Sequence, residues 1–219
     1  ELWPSDAPDT VQRVVGESEA WSTNLGDMRI HRAQIDGLQP NVTYGYRVGD
    51  GSQERWSSSN QFTAAPAKRN DSVSVLVLSD TQCHPGRYRV WGETLYWALA
   101  DEHQDDLLVL TGDIVDYGGD QEEWEQWFGA VKNDALGRLP VLPVVGNHEL
   151  SVGGRGKNQG ENVLMQFQTP ANGPQGQEGL VYSVDYGDVH IVVQNSEARS
   201  SADIADQKRF LIDDLSQSK

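Results

Sequence analysis

Three short apolar runs, each ending in a polar cluster, constrain this chain more than any other feature. Val73-Ser74-Val75-Leu76-Val77-Leu78 leads into Ser79-Asp80-Thr81-Gln82. Leu107-Leu108-Val109-Leu110 leads into Thr111-Gly112-Asp113-Ile114-Val115-Asp116-Tyr117, and Val141-Leu142-Pro143-Val144-Val145 into Gly146-Asn147-His148-Glu149. Short β-branched apolar runs read as strands buried on both faces. Between them Val90, Trp91, Leu95, Ala98 and Leu99, and then Trp124, Trp127, Phe128 and Val131, recur at helical spacing. The alternation predicts an α/β layer with a largely parallel sheet. The carboxyl ends of such strands open onto one crevice, where Asp80, Asp113 and Asn147 are expected to converge. Asp and Asn also end strands as turn formers or helix caps. Three clusters after three strand patterns weigh more than that plainer reading.

The first 66 residues have a different rhythm. Met28 to Ile35 alternates apolar and polar side chains, Thr43 to Val48 is rich in β-formers, and Gln61-Phe62-Thr63 closes the set. Turn chemistry at Gly37–Asn41 and Gly49–Ser52 separates them. The division expected is a β module over 1–66, a linker over 67–72 and the α/β part over 73–219. Near the end, Val181–Val184 and Val189–Val193 read as a hairpin, with His190 as one of its structural residues. Ala205 to Leu215 reads as an amphipathic helix beginning near Asp203. The glycines at 153–160 and 173–179 predict long loops.

Charge narrows the function. Of 33 acidic and 17 basic residues, 24 acidic and 10 basic lie beyond residue 70, so that part carries a net charge of -14. A surface this acidic repels a phosphate backbone, which argues against non-specific nucleic-acid binding. No run of eighteen apolar residues exists, so no membrane-spanning helix is expected. The lone Cys83 excludes an internal disulfide.

Carboxylate and amide oxygens suit divalent metals, and one carboxylate can bridge two ions. At this point the chain resembles a family. Gly112-Asp113-Ile114-Val115-Asp116-Tyr117 followed by Gly146-Asn147-His148-Glu149 is similar to the GDxxD and GNHE motifs of calcineurin-like metallophosphoesterases. Gly37–Tyr44 and Phe62–Pro66 resemble the fibronectin-III-like module that precedes the catalytic domain in purple acid phosphatases. The fold expected is an incomplete α/β metallophosphoesterase domain after a partial all-β fibronectin-III-like sandwich.

The resemblance implies that Asp80 and Gln82 bind one metal, Asp113 bridges two, and Asn147 binds the second. Two divalent or transition ions (Fe, Mn or Zn) would hold a hydroxide that attacks phosphorus. His148 would face the substrate, stabilising charge or protonating the leaving oxygen. Asp116 would orient the metal ligands or cap the next helix, with Tyr117 and Glu149 close by. Arg155, in the loop Gly153–Asn158, would steady a substrate phosphate, or simply lie in a solvated loop.

Four departures qualify the match. Gln82 stands where the family usually places a metal-binding histidine, and His84 and Cys83 beside it read as loop residues. Asp116 stands where purple acid phosphatases carry the iron-binding tyrosine. Two further histidine motifs have no counterpart between 150 and 219, and the β module is short of a full sandwich. Both ends read as cut, so the histidines are expected from a C-terminal segment. The resulting expectation is hydrolysis of phosphate mono- or diesters by an exported, secreted or periplasmic, protein; the fragment alone would be inactive. The alternative is a non-catalytic binding or adhesion protein on a degraded scaffold.

Overall fold

The computed structural model describes residues 1–52, 55–67, 72–84, 86–100, 104–132, 135–150 and 160–218. Its first part contains five strands: β1 (Leu2–Pro4), β2 (Glu17–Thr23), β3 (Gly26–Arg32), β4 (Thr43–Tyr46) and β5 (Asn60–Thr63). They form two antiparallel sheets, β1-β4-β5 and the ribbon β2-β3. A small core of Leu2, Tyr44 and Ala64 sits under the first sheet, and Phe62 stacks on Tyr44 at 5.8 Å. The strand expected over Met28–Ile35 is β3, which begins two residues earlier and ends three earlier, at Arg32. Its partner β2 and the three-residue β1 carried too little apolar alternation to be read from sequence. The Thr43 strand ends at Tyr46, and Val48 is 64% exposed beyond it.

The second part begins with β6 (Val75–Leu78), α1 (Arg89–Ala98), β7 (Leu107–Leu110), α2 (Gln121–Gly129) and β8 (Val141–Pro143). β6, β7 and β8 pair in parallel in that order, as the alternation predicts. β7 lies in the middle, with Leu107, Leu108 and Leu110 buried, because both of its edges and both faces are covered. The two helices meet the sheet through tryptophan: Trp91 of α1 stacks on Trp127 of α2 with ring centroids 4.8 Å apart. Not every periodic residue faces inward. Trp97 is 68% and Val90 67% exposed, since six residues and one residue from Trp91 each rotate a side chain by about a third of a turn.

Two short helices follow, α3 (Asn147–Leu150) and α4 (Glu161–Gln166). Then come the hairpin β9 (Tyr182–Tyr186) and β10 (Val189–Val193), and α5 (Ser201–Gln217). The helix expected near the end is thus longer than its apolar stripe, with Ser200 accepting from the Asp203 N–H as its cap. The hairpin is fastened to the parallel sheet by two tyrosines: the Tyr182 hydroxyl donates to the Pro143 carbonyl and Tyr186 to that of Asp106. His190 lies in β10, as expected, between Asp185 (2.7 Å) and Asp214 of α5 (2.6 Å).

The two parts touch at specific points. Tyr46 donates to the Gly137 carbonyl (2.8 Å), and Arg32 donates to the Leu164 and Met165 carbonyls near the end of α4. Asn24 accepts from the N–H of Gln121 at the start of α2. The Gly153–Asn158 loop, with Arg155, and most of the linker lie outside the described residues.

Candidate active site

The carboxyl ends of β6, β7 and β8 do meet. The Asp80 N–H donates to the Gly112 carbonyl (3.2 Å), and the Gln82 N–H to the Asp113 carbonyl (3.0 Å). On the other side, the His148 N–H donates to Asp113 Oδ1 (3.2 Å). Asp80, Gln82 and Asp113 therefore stand on loops stitched to one another and to the start of α3 at Asn147, with Asp113 in the centre.

Both strand-end aspartates sit in the left-handed backbone region, at φ 54° for Asp80 and 53° for Asp113. Each such conformation costs of order 1–3 kcal/mol in a residue other than glycine and persists only where the surroundings enforce it. Asp80 lies two residues beyond β6 and Asp113 three beyond β7, so a strained aspartate follows each of two neighbouring strands, a mark of a site rather than of two ordinary turns. The glycines flanking Asp113 are sterically required. Gly112 has φ 99°, and a Cβ at Gly146 would fall 2.1 Å from Asp113 Oδ1.

What enforces the geometry is a pair of buried carboxylates. Glu149, with no exposed surface, accepts four backbone N–H groups. Those of Asp113 (2.9 Å) and Gly146 (2.9 Å) reach Oε2; those of Ile114 (2.7 Å) and Val115 (3.2 Å) reach Oε1. Glu123, from α2, takes the next two, Asp116 (2.8 Å) and Tyr117 (3.0 Å), on its Oε2, together with the Tyr88 hydroxyl (2.9 Å). Five consecutive N–H groups, 113 to 117, thus end on two carboxylates. Burial pushes both carboxyl groups above the usual range, while the donated N–H groups pull the other way.

His148 is set by the same loop. Its Nδ1 lies 2.6 Å from the Asp116 carbonyl oxygen and 3.3 Å from Asp116 Oδ1. A carbonyl oxygen only accepts, so Nδ1 carries a proton. Partial burial lowers the imidazole pKa, but the Asp116 carbonyl and the carboxylates of Asp113, Asp116 and Glu149 outweigh it and raise it. Asp116 therefore orients His148. It does not cap α2: that cap is Asp120, whose side chain accepts from the Glu122 N–H. Tyr117 is 41% exposed, with its backbone held by Glu123.

The donor set can be tested against a divalent ion. Gln82 Oε1 is buried and has no hydrogen-bond partner among the described residues. An amide oxygen in that condition is costly unless something electropositive meets it, and a cation does so. The four candidate ligands thus offer oxygen throughout, which suits hard and borderline ions. Among the described residues no three His, Cys, Asp or Glu side chains gather as a metal cluster, so the amides of Gln82 and Asn147 are needed. Cys83 is a loop residue packed against the core; its thiol is pushed up first by burial and then by Glu123 and Asp116, which keeps it protonated. His84 is exposed.

Glu123, Tyr88 and Thr81 were not legible as site residues. Thr81 donates to the Ile114 carbonyl and accepts from Trp127 Nε1, tying the first loop to the second. A signal for Glu123 did exist: it precedes Trp127 by four residues, which puts a carboxylate on the buried stripe of α2.

Comparison with known proteins agrees with the fold. Residues 73–214 match the calcineurin-like phosphoesterase family, and residues 2–64 match the purple acid phosphatase N-terminal domain. Purple acid phosphatase 15 of Arabidopsis thaliana is 25% identical over 194 residues, covering 75% of this chain and 34% of that protein. Another Arabidopsis thaliana relative, named "Probable inactive purple acid phosphatase 1", is 27% identical over 195 residues, covering 77% of this chain and 30% of that protein. The solved structure of a purple acid phosphatase from yellow lupin (Lupinus luteus) seeds superposes with a TM-score of 0.77 at 18% identity, covering all of this chain and 43% of that one. The chain spans about a third of the length of the curated relatives it matches. With nearly two thirds of its residues matched by the family model, from β6 to α5, the chain belongs to the calcineurin-like phosphoesterases.

Proposed function

We propose that this chain carries the first half of a phosphoester-hydrolysing centre that uses two divalent or transition metal ions. The observation that carries the reading is Asp113, held in left-handed backbone at the centre of three stitched loops, beside the orphaned Gln82 Oε1. Asp80, Gln82, Asp113 and Asn147 would hold the ions. Bound ions supply Lewis acidity and a water of lowered pKa. His148, its Nδ1–H held by Asp116, would face the substrate as the imidazolium, its pKa raised by the surrounding carboxylates, and give its other ring proton to the leaving oxygen. Two ions need more donors than four side chains supply, so residues outside these 219, histidines by family resemblance, complete the shell. Arg155 is proposed to steady the phosphate. The division at 67–72 and an exported location belong to the same proposal.

A second reading has its own observation. With two carboxylates and two amides, and with a relative named as inactive, the chain also fits a binding protein built on a site that no longer turns over. Elemental analysis of the full-length protein, with the donors outside these 219 residues in place, separates the two. About two transition ions per chain, together with hydrolysis of p-nitrophenyl phosphate or its bis ester that is lost in Asp113→Ala, supports the enzyme. Bound metal with no turnover supports the binding protein, and absence of both overturns the metal site.

A further inference from the structure

The tip of the β2–β3 ribbon reaches the start of α2. Seven residue pairs in register, from Glu17 with Arg32 to Thr23 with Gly26, leave Asn24 and Leu25 as its two-residue turn. The Thr23 hydroxyl fixes that turn, donating to the Gly26 carbonyl and accepting from the Leu25 N–H. At the far end Arg32 donates to the Leu164 and Met165 carbonyls, so the ribbon is held at both ends. Asn24 Oδ1 accepts the Gln121 N–H (2.8 Å), and its Nδ2 donates to Asp120 Oδ1 (2.7 Å), the oxygen that also takes the Glu122 N–H (3.0 Å). Two N–H groups at the start of α2 are thus met by side chains 96 residues apart, one from each part of the molecule.

The first turn of α2 in turn grips the loop after β7. Glu123 takes the N–H groups of Asp116 and Tyr117, and Trp124 Nε1 donates to the Gly118 carbonyl (2.8 Å). The Gly118 N–H continues to the main-chain carbonyl of His148 (3.1 Å), and a Cβ at Gly118 would fall 2.6 Å from the Glu149 backbone. A shift of the helix start therefore reaches the loops after β7 and β8 together. We propose that Asn24 is a positioning residue for the candidate site: the first part of the chain braces the start of α2 and, through it, the main chain at Asp116, Tyr117, Gly118 and His148. The role in turnover rests on the hydrolase reading; the brace itself does not.

Hydrogen exchange read by mass spectrometry on the full-length protein tests the brace. Asn24 is exposed, so changing it opens no core. In Asn24→Ala, amides over 113–122 should exchange about tenfold faster through local opening, while β4, β5 and β7 keep their rates. Asn24→Asp sets two carboxylates against each other and should do the same. Adding Asp120→Asn restores the pair with donor and acceptor exchanged, and the rates should return. Unchanged rates over 113–122 in Asn24→Ala, or equal acceleration throughout the protein, overturns the proposal. So does a double variant that fails to rescue Asn24→Asp. In turnover of p-nitrophenyl phosphate, kcat should fall about tenfold in Asn24→Ala with KM nearly unchanged, because what is lost is geometry at the reacting groups. Faster loop exchange with kcat unchanged overturns the positioning role. Faster loop exchange in a protein whose wild type hydrolyses no phosphoester sinks the hydrolase reading and leaves the brace standing.

Discussion

Glu149 Oε2 accepts the N–H of Asp113 and that of Gly146, each at 2.9 Å, so one buried oxygen joins the loop after β7 to the loop after β8. Removing the carboxylate strands four buried donors at once. Glu149→Ala should cost about 3 kcal/mol or more, since each buried donor left unmet costs of order 1–3 kcal/mol and relaxation recovers part of the total. Glu149→Gln keeps one acceptor and should cost less. Urea unfolding measures both; a loss below about 1 kcal/mol in the alanine variant would mean that the loops are held by something else.

Gly146→Ala tests the close approach on the other side of Asp113. Its Cβ would fall 2.1 Å from Asp113 Oδ1 and 2.6 Å from the Asp113 backbone nitrogen, so the carboxylate and the loop backbone must both shift. The expected result is a loss of stability of about 1–3 kcal/mol with at least a tenfold loss of metal affinity, the scale on which groups supporting metal ligands act. Calorimetric titration with Mn²⁺ or Zn²⁺ reads the second effect, and unchanged affinity would remove Asp113 from the ligand set.

Gln82 offers a gain-of-function counterpart. Gln82→His replaces a buried amide oxygen with imidazole, a better donor for Zn²⁺ and other borderline ions. Zinc affinity should rise about tenfold or more and fall again as pH drops below about 6, where imidazole takes a proton. The same affinity in both proteins would place residue 82 outside the shell.

What could be read from sequence and what could not divides along physical lines. β6, β7, β8 and the three polar clusters announce themselves because buried parallel strands leave continuous apolar runs and their ends need special residues. Asp80, Asp113 and Asn147 are visible for that reason. Glu123 and Thr81 act through hydrogen bonds to backbone from 33 to as few as six residues away, and such long-range partners leave little trace in local composition. Trp97 misleads in the other direction: its type says core, while its angular position on α1 turns it to solvent.

His190 predicts a pH dependence. The hydrogen bond to Asp185 and then that to Asp214 raise its pKa above the ordinary 6.5. A raised folded-state value means that the charged pair adds stability fully present below pH 6.5, and lost as pH climbs through the folded value. The stability gap between wild type and His190→Gln should therefore shrink between about pH 6 and about pH 9, the window that brackets an imidazole with a raised pKa. Urea midpoints at several pH values check this, and a pH-independent gap would show that the two carboxylates do not hold α5 through the charge on His190.

The left-handed backbone at Asp80 and Asp113 has a consequence for how such a centre decays. Among side-chain-bearing residues, those that tolerate this conformation best are aspartate and asparagine. A change from one to the other removes a negative charge from each proposed metal position while leaving the loop with a comfortable occupant. Folding therefore exerts no selection against the substitutions most damaging to chemistry at these two positions. A lineage can drift into silence there without its shape recording the event, and a shared outline among relatives is weak testimony that they share turnover.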